Sequence, residues 1–374
     1  MDVDFYTLTP SPHLVGVLDA LHAEPGVNLR VVYERQTLPE RAWGVYTGEA
    51  PSHVLNSRDL VGRGQWWDAT IVDVAQESAA DVVVVSTSYA SLNTYALIRT
   101  LRKKKTPYVF WCERFSHISG WWVNWLRRFP VKWILHRASG LVGSTQATVD
   151  FYTRQFSFEG PTLAVPYHRD LSPFLQLPLV EDVAGPVRFL ILSALVHGKG
   201  VDVVLRALAQ VREPVHLDIV GDGAEAHALK ELARLCPQHT IRFRGSVPYT
   251  DVAAHVRSAH VLLFPSRHDG FGMVTMEALA GGLPVVASTH VMSALEYIQP
   301  GVNGWVLPVD DVGAWTAMIQ DIATVEKPRL PAYSCAARQT IREDYDAATD
   351  VRKLVRFIRG IAETSQKRSD SMRH

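Results

Sequence analysis

The sequence predicts an α/β protein made of two doubly wound parallel sheets. Short apolar runs of strand length alternate with helix-period stretches in both halves of the chain. A proline-rich break, residues 166–186, interrupts the alternation, which then restarts. At 374 residues the chain has room for two domains of ordinary size. Hydrophobic residues are 47% and charged residues 20%, the balance of a packed globular protein.

In the first half, Asp2 to Leu8 is a β-prone opening. Ser11-Pro12 then offers an N-cap and a first-turn proline, and Leu14, Val17, Leu18 and Leu21 share one helical face. Leu29 to Tyr33 reads as a strand; residues 34–70, with the pair Trp66-Trp67, carry no usable pattern. Asp81 to Ser86 is a buried strand, followed by a helix near Leu92 to Leu101. Strands come next at Tyr108 to Trp111, Leu141 to Gly143 and Leu163 to Val165. Beyond the break, strands are expected at Phe189 to Leu192, His216 to Val220, Ile241 to Phe243, Val261 to Phe264, Pro284 to Ala287 and Trp305 to Leu307. A last helix, near Ala347 to Ile361, places Val351, Leu354, Val355 and Ile358 on one face.

Composition excludes several classes. Zero net charge argues against bulk nucleic-acid binding. Cys112, Cys236 and Cys335 have no metal-like spacing, and their odd number fits a reducing compartment. Residues 1–30 hold Asp2, Asp4, Pro10 and Pro12 and lack the layout of a signal peptide. No apolar run approaches the roughly 20 residues of a spanning helix. A cytoplasmic protein is expected.

The chemistry concentrates in Val261 to Ser288, VLLFPSRHDGFGMVTMEALAGGLPVVAS, read as strand, loop, helix and strand. The first N–H groups of the helix lack intrahelical partners, and the helix dipole makes that end positive. Gly270 and Gly272 allow close backbone approach by a ligand. Glu277 lies about one turn inside and leans back toward the Asp269 loop. Two acids flanking an anion-binding helix start suit a ligand with phosphates and hydroxyls, such as a nucleotide-sugar. Upstream, Ser193 to Gly200 (SALVHGKG) follows a strand and opens a helix, with Lys199 placed to meet a diphosphate. Gly221-Asp222-Gly223-Ala224-Glu225-Ala226 fits a dinucleotide fingerprint, but Arg244-Gly245 stands where a ribose-binding acid is needed, so a dehydrogenase reading loses.

Acid-G-F-G-x4-E-A-x-A-x-G-x-P-V-V-A resembles the donor-site signature of the retaining family-4 glycosyltransferases, over the whole C-terminal half and in outline over the N-terminal half. The resemblance implies the GT-B fold, two Rossmann-like domains facing across a cleft. They would span 1–172 (acceptor side) and 173–345 (nucleotide-sugar side), with 346–374 crossing back as a helix and frayed tail. It implies transfer of a sugar from a nucleoside diphosphate sugar to an acceptor hydroxyl with retention, in polysaccharide or glycoconjugate synthesis. Neither metal nor cofactor is expected. Glu277 would hold the donor ribose, Asp269 the sugar hydroxyls, and Lys199 with the amides of Phe271, Gly272, Met273 and Val274 the phosphates. Gly270, Ser193 and Gly221 would line the donor cleft, and Val247, in Gly245-Ser246-Val247-Pro248, would edge the base. The family pattern G-R-L-x3-K-G has its arginine replaced here by Ala194, leaving Lys199 alone or Arg267 or His197 as substitutes. That departure keeps open a non-catalytic nucleotide-sugar-binding subunit; an epimerase or phosphorylase of the same fold fits the signature less well.

On the acceptor side, Thr9-Pro10-Ser11-Pro12-His13 lacks the family's paired glycines. Glu113 is the catalytic candidate, at a strand end with His117 nearby; a surface Glu is the alternative. Residues 99–137 hold ten Lys or Arg against the single acid Glu113, and five of the ten tryptophans (Trp111, Trp121, Trp122, Trp125, Trp133). An anionic membrane face or a lipid-linked saccharide acceptor would match that charge; a solvated lysine run beside core tryptophans is the alternative. The first would bring the protein to the inner face of the plasma membrane.

Overall fold

The computed structural model describes residues 1–37, 48–60, 65–114 and 121–371, without the side chains of 121–126 and 368–370. His117 and the side chains of Trp121, Trp122 and Trp125 lie outside the described residues. The chain forms two compact units. One is Met1–Arg169 with Ala347–His374, the other Asp170–Asp346.

The first unit is built on β1 (Asp2–Thr7), β2 (Asn28–Tyr33), β3 (Ser52–Val54), β4 (Val82–Ser86), β5 (Tyr108–Cys112), β6 (Gly140–Gly143) and β7 (Thr162–Ala164). Their order is β3-β2-β1-β4-β5-β6-β7, all parallel, so the direction of winding reverses between β1 and β4. The four valines of β4 are fully buried, as a strand covered on both faces requires. Val351, Leu354, Val355 and Ile358 are buried along the helix Ala347–Ser371, which packs on the helix Pro12–His22 and on β4. His168 Nε2 lies 3.1 Å from Asp350 Oδ2, pinning that helix to the end of the unit's chain. Burial raises the Asp350 pKa, but bonds from His168 and Lys353 outweigh it and hold it below the usual range.

Two stretches differ from the sequence reading. The break at 166–186 is not a bare linker: Tyr167, His168, Leu171, Phe174 and Val183 are buried, and Ser172–Leu175 is a short helix. Its prolines erase periodicity without removing its apolar anchors. Residues 34–70 hold β3 and a two-stranded ribbon of Arg58–Asp59 with Trp66–Trp67, pieces too short to show a period. Buried Glu34 follows β2 and accepts a hydrogen bond from Ser91 Oγ at 2.8 Å. Burial pushes its carboxyl up to about 7, against the lowering effect of Ser91 and Asn93.

The second unit is built on β8 (Arg188–Leu192), β9 (His216–Val220), β10 (Thr240–Gly245), β11 (Val261–Phe264), β12 (Val285–Ser288) and β13 (Gly304–Leu307). The order is β10-β9-β8-β11-β12-β13, again parallel. Its strands also reverse direction of winding, here between β8 and β11, and ligands in such sheets gather at the strand C-terminal ends. The helices Val201–Leu208 and Val312–Ala323 pack together around Trp315. The helix Met273–Ala280 packs on Leu330–Asp344, which explains its nearly all-apolar sequence.

His260, just before β11, is buried, and its Nδ1 accepts the Arg188 N–H at 3.1 Å. Burial first, then the charges of Arg188 and Lys327, lower its pKa from 6.5 to about 4. A folded pKa below the unfolded one contributes stability that is present above pH 6.5 and is lost as pH falls toward 4. Glu34 acts in the opposite sense, its contribution being lost as pH rises through about 7. His260→Asn keeps an acceptor for Arg188 but cannot titrate. Its urea midpoint should fall less than that of the wild type between pH 7 and pH 4.5; equal slopes would remove His260 from the acid response.

Candidate functional site

The two turns that leave β8 and β11 meet at the C-terminal end of the second sheet. The Arg267 N–H donates to Gly198 O at 2.9 Å. Lys199 Nζ then reaches Asp269 Oδ2 at 2.7 Å, with the two side chains 28% and 18% exposed, so the pair is largely shielded but open to a ligand. The Asp269 loop is fixed from the far side. Its N–H donates to His290 O at 3.0 Å, Ser293 N–H donates to Phe271 O at 2.7 Å, and Ser293 Oγ to Gly272 O at 2.9 Å. His290 Nδ1 lies 2.9 Å from Arg267 O; a carbonyl can only accept, so that nitrogen carries the proton.

Gly272 opens the helix Met273–Ala280 with φ +92°, and no side chain caps it. Its leading amides are thus left to solvent or to a ligand. Met273 and Val274 are half-buried, while Gly270 and Phe271 are buried beneath them. Glu277, only 4% exposed, accepts a hydrogen bond from Tyr249 Oη at 3.1 Å. Gly221 ends β9 with its N–H on Gly245 O at 2.8 Å, and half-buried Val247 lies in the loop that follows Gly245. The hydroxyls of Ser193, Ser266 and Thr275 are buried with no partner among the described residues, a kind of loose end that calls for an explanation such as a ligand or water.

The structure therefore brings Lys199 and Asp269 together and sets Glu277 with Tyr249. Glu113 belongs to the first unit, exposed at the end of β5, with its carbonyl accepting Tyr152 Oη at 2.9 Å. The suggestion that Arg267 could replace the missing arginine fails. Its guanidinium makes a bidentate pair with Asp202 at 2.8 and 2.9 Å and a third bond to Asp310 at 2.7 Å. The bond to Asp202 leads the factors that raise its pKa. His197 is 74% exposed and lies 3.9 Å from Glu225; Ala194 is exposed and offers no donor. Sequence reasoning missed Tyr249, Asp202, Ser293 and His290. None sits in a spaced motif, and only the fold carries them to the site.

Residues 186–324, which contain all of this second-unit geometry, match the family model of the glycosyl transferases group 1. They are a glycosyl transferases group 1 domain. The GDP-mannose-dependent alpha-(1-6)-phosphatidylinositol monomannoside mannosyltransferase of Mycolicibacterium smegmatis is 32% identical over 187 residues, 47% of this chain and 48% of that protein. The chain spans about half, or less, of the length of the curated relatives it matches. Among solved structures, sucrose-phosphate synthase from Thermosynechococcus elongatus aligns over 97% of this chain and 100% of its own, with a TM-score of 0.74 at 16% identity. Anabaena HepE in complex with UDP-glucose aligns over 98% and 100%, with a TM-score of 0.65 at 17% identity. These likenesses establish the fold: two Rossmann-like units of the GT-B type.

In the group 1 domain, Gly272 is the residue whose replacement tests the architecture most directly. A Cβ there would stand 2.8 Å from Val291 Cγ1 and 3.0 Å from both Phe264 Cε1 and Ser293 Oγ, on a backbone at φ +92°. Strain and crowding together predict that Gly272→Ala destabilises the chain by about 2–4 kcal/mol. Urea unfolding checks this; a loss under about 0.5 kcal/mol would mean that the helix start relaxes freely.

Proposed function

We propose that this protein is a glycosyltransferase that moves a sugar from a nucleoside diphosphate sugar to an acceptor hydroxyl with retention, in polysaccharide or glycoconjugate synthesis. The observation that carries the reading is the uncapped helix start at Gly272 flanked by the Lys199–Asp269 pair and by Glu277. The leaving diphosphate would lie on the helix amides, its charge met by Lys199 and the helix dipole without a metal ion. Asp269 would face the sugar hydroxyls and Glu277 the ribose hydroxyls. The loop at Val247 would edge the base and Ser193, Gly221 and Gly270 would leave room for the backbone to approach. HepE in complex with UDP-glucose, and the GDP-mannose dependence in the mannosyltransferase's name, support a nucleotide-sugar donor. The first unit would carry the acceptor, with Glu113 as its candidate catalytic group.

The Lys199–Asp269 pair yields variants of opposite sign. A diphosphate must compete with Asp269 for Lys199, so Asp269→Asn should tighten a free nucleoside diphosphate about two- to tenfold while abolishing transfer. Lys199→Ala should weaken the diphosphate and lower turnover more than it weakens donor binding. Glu277→Gln should weaken donor and diphosphate alike by one to two decades, roughly the worth of a charged hydrogen bond. Calorimetry with the nucleoside diphosphates and a screen of nucleotide-sugars for slow hydrolysis read all three. Unchanged diphosphate affinity across the set would sink the assignment. Exposed Ala194, with Arg267 already committed, favours a second reading: a subunit that binds nucleotide-sugar without reacting it. Tight donor binding with neither hydrolysis nor transfer would select it.

The basic stretch of the first unit supports docking on an anionic membrane. Arg102, Lys103 and Lys132 are exposed, and Phe129 beside them is 57% exposed. Trp111, by contrast, is a core residue at 1% exposure, and Lys104 caps the helix Thr70–Glu77 through the carbonyls of Ala75, Gln76 and Ser78. Among the described residues no helix is long and apolar enough to cross a membrane. Changing Arg102, Lys103 and Lys132 to Gln should abolish sedimentation with anionic vesicles at low salt, since each contributes about 1 kcal/mol near such a surface. Leaving Lys104 in place protects the fold. Indifference of the wild type to anionic vesicles would leave a soluble acceptor as the reading.

A further inference from the structure

Parallel sheets are normally covered on both faces, but near the β10 edge of the second sheet part of one face is left open. Phe189, Ile191, Leu217, Ile219, Ile241 and Phe243 pack into the unit's core. The alternate residues face the other way, and on β10 they are Thr240, Arg242 and Arg244. In register beside them lie His216 and Asp218 of β9 and Arg188 of β8, Arg188 opposite His216 and Asp218 opposite Arg242. The helix Tyr249–Ser258 walls one side with His255. The result is a groove of about 530 Å³, within the size range of small-molecule sites.

Its charge is out of character for its surroundings. Residues 170–346 hold twenty acids against fourteen Lys or Arg, yet the groove gathers three arginines and two histidines around one carboxylate. That carboxylate, Asp218, is taken by Arg244 at 3.0 Å. Arg188 is exposed, gives its Nε to Ser258 O, and forms no ion pair among the described residues. Arg242 is exposed and has no ion-pair partner there either. Arg188 lies two strands from Arg242 and Arg244, about 9.6 Å between backbones, and those two lie about 6.6 Å apart along β10, distances that long forked side chains can close onto one oligophosphate.

We propose that this groove is a binding site for a small oligophosphate-bearing molecule, separate from the nucleotide-sugar site. It lies on the face of β8, β9 and β10, from Arg188 and His216 at strand N-terminal ends to Arg244 near the end of β10, whereas Lys199, Asp269 and Glu277 lie beyond strand C-terminal ends. The guanidiniums of Arg188 and Arg242 bind the anion, Arg244 is shared with Asp218, and His216 and His255 line the groove beside them. A concave polar site this small takes a molecule of a few phosphoryl groups rather than a helix or a polymer lying flat.

The test uses the full chain carrying Lys199→Ala, which weakens anion binding at the candidate donor site, and inorganic tripolyphosphate as the probe, with groove variants separating the two sites. Calorimetry at about 50 mM salt should show one equivalent bound with a Kd below about 1 mM, weakening as salt is raised. Adding Arg242→Gln, which breaks no ion pair, should weaken binding about tenfold or more, and Arg188→Gln likewise. Arg257→Gln, on the same helix but outside the groove, should change nothing. No tripolyphosphate binding, or equal losses at Arg257 and Arg242, would overturn the proposal. So would a concentration-dependent dimer dispersed by Arg242→Gln without anion binding, which would give the groove to a second copy of the chain. Failure of nucleotide-sugar turnover leaves these outcomes untouched, because they are read by Arg242→Gln and Arg188→Gln, neither of which belongs to the candidate donor site.

Discussion

Gly200 allows two turns to approach more closely than side chains would permit. A Cβ at position 200 would come 2.1 Å from the Pro265 carbonyl oxygen, and the backbone there is left-handed at φ +66°. With glycine in place, the turn after β8 lies against the turn after β11, the Arg267 amide closes on Gly198, and Lys199 arrives at Asp269. The rest of the site hangs on that contact. Asp269 is held by His290, its loop ends at Gly272, and the helix that starts there sets Glu277 one turn further in. A side chain at 200 would separate a cation on one turn from an acid on the other, and neither turn alone would hold a ligand.

Arg267 shows how the same contact constrains the chemistry. Its position in the sequence, just before Asp269, makes it look like a spare phosphate ligand. The fold gives it to Asp202 on the neighbouring helix and to Asp310 beyond β13, where it acts as a structural clamp between turns. Releasing it would leave Asp310 without its cation and Asp202 with Arg206 alone at 3.4 Å, a cost a diphosphate would have to offset. With Ala194 offering no donor, Lys199 is left as the nearby cation, and it is already paired with Asp269. Electrostatic capture of a diphosphate would therefore depend more on the backbone amides at Gly272 than in a site with a free arginine.

What the sequence disclosed follows the range of the signals. Strands buried on both faces, such as Val82–Ser86 and Val261–Phe264, announce themselves as apolar runs bounded by turns, so both sheets were legible. Glycines and acids spaced within one loop and one helix, Asp269 to Glu277, were legible because local geometry fixes where they point. Tyr249 was not, since it meets Glu277 across 28 residues and only strand order brings them together. Arg267 was misread because its partners lie 65 and 43 residues away. Residues 34–70 were opaque because two- and three-residue strands have no period to detect. The break at 166–186 does hold the boundary between the two units, at Arg169 and Asp170, but its apolar anchors such as Phe174 were hidden because proline erases periodicity.

The polar edge of the second sheet was present in TIRFRG as a clean alternation, the pattern of a strand with one wet face. In a doubly wound sheet that alternation has a consequence beyond solubility. The helix Tyr249–Ser258 crosses the region where cover is thin, and its two ends serve different polar clusters. Its first residue holds the Glu277 carboxylate through Tyr249 Oη, while its last, Ser258, accepts Arg188 through a backbone carbonyl at the far end of the strands. Apolar packing along the middle is slight, Val256 being its buried residue. A helix anchored by polar contacts at both ends and by little between them is positioned by those contacts.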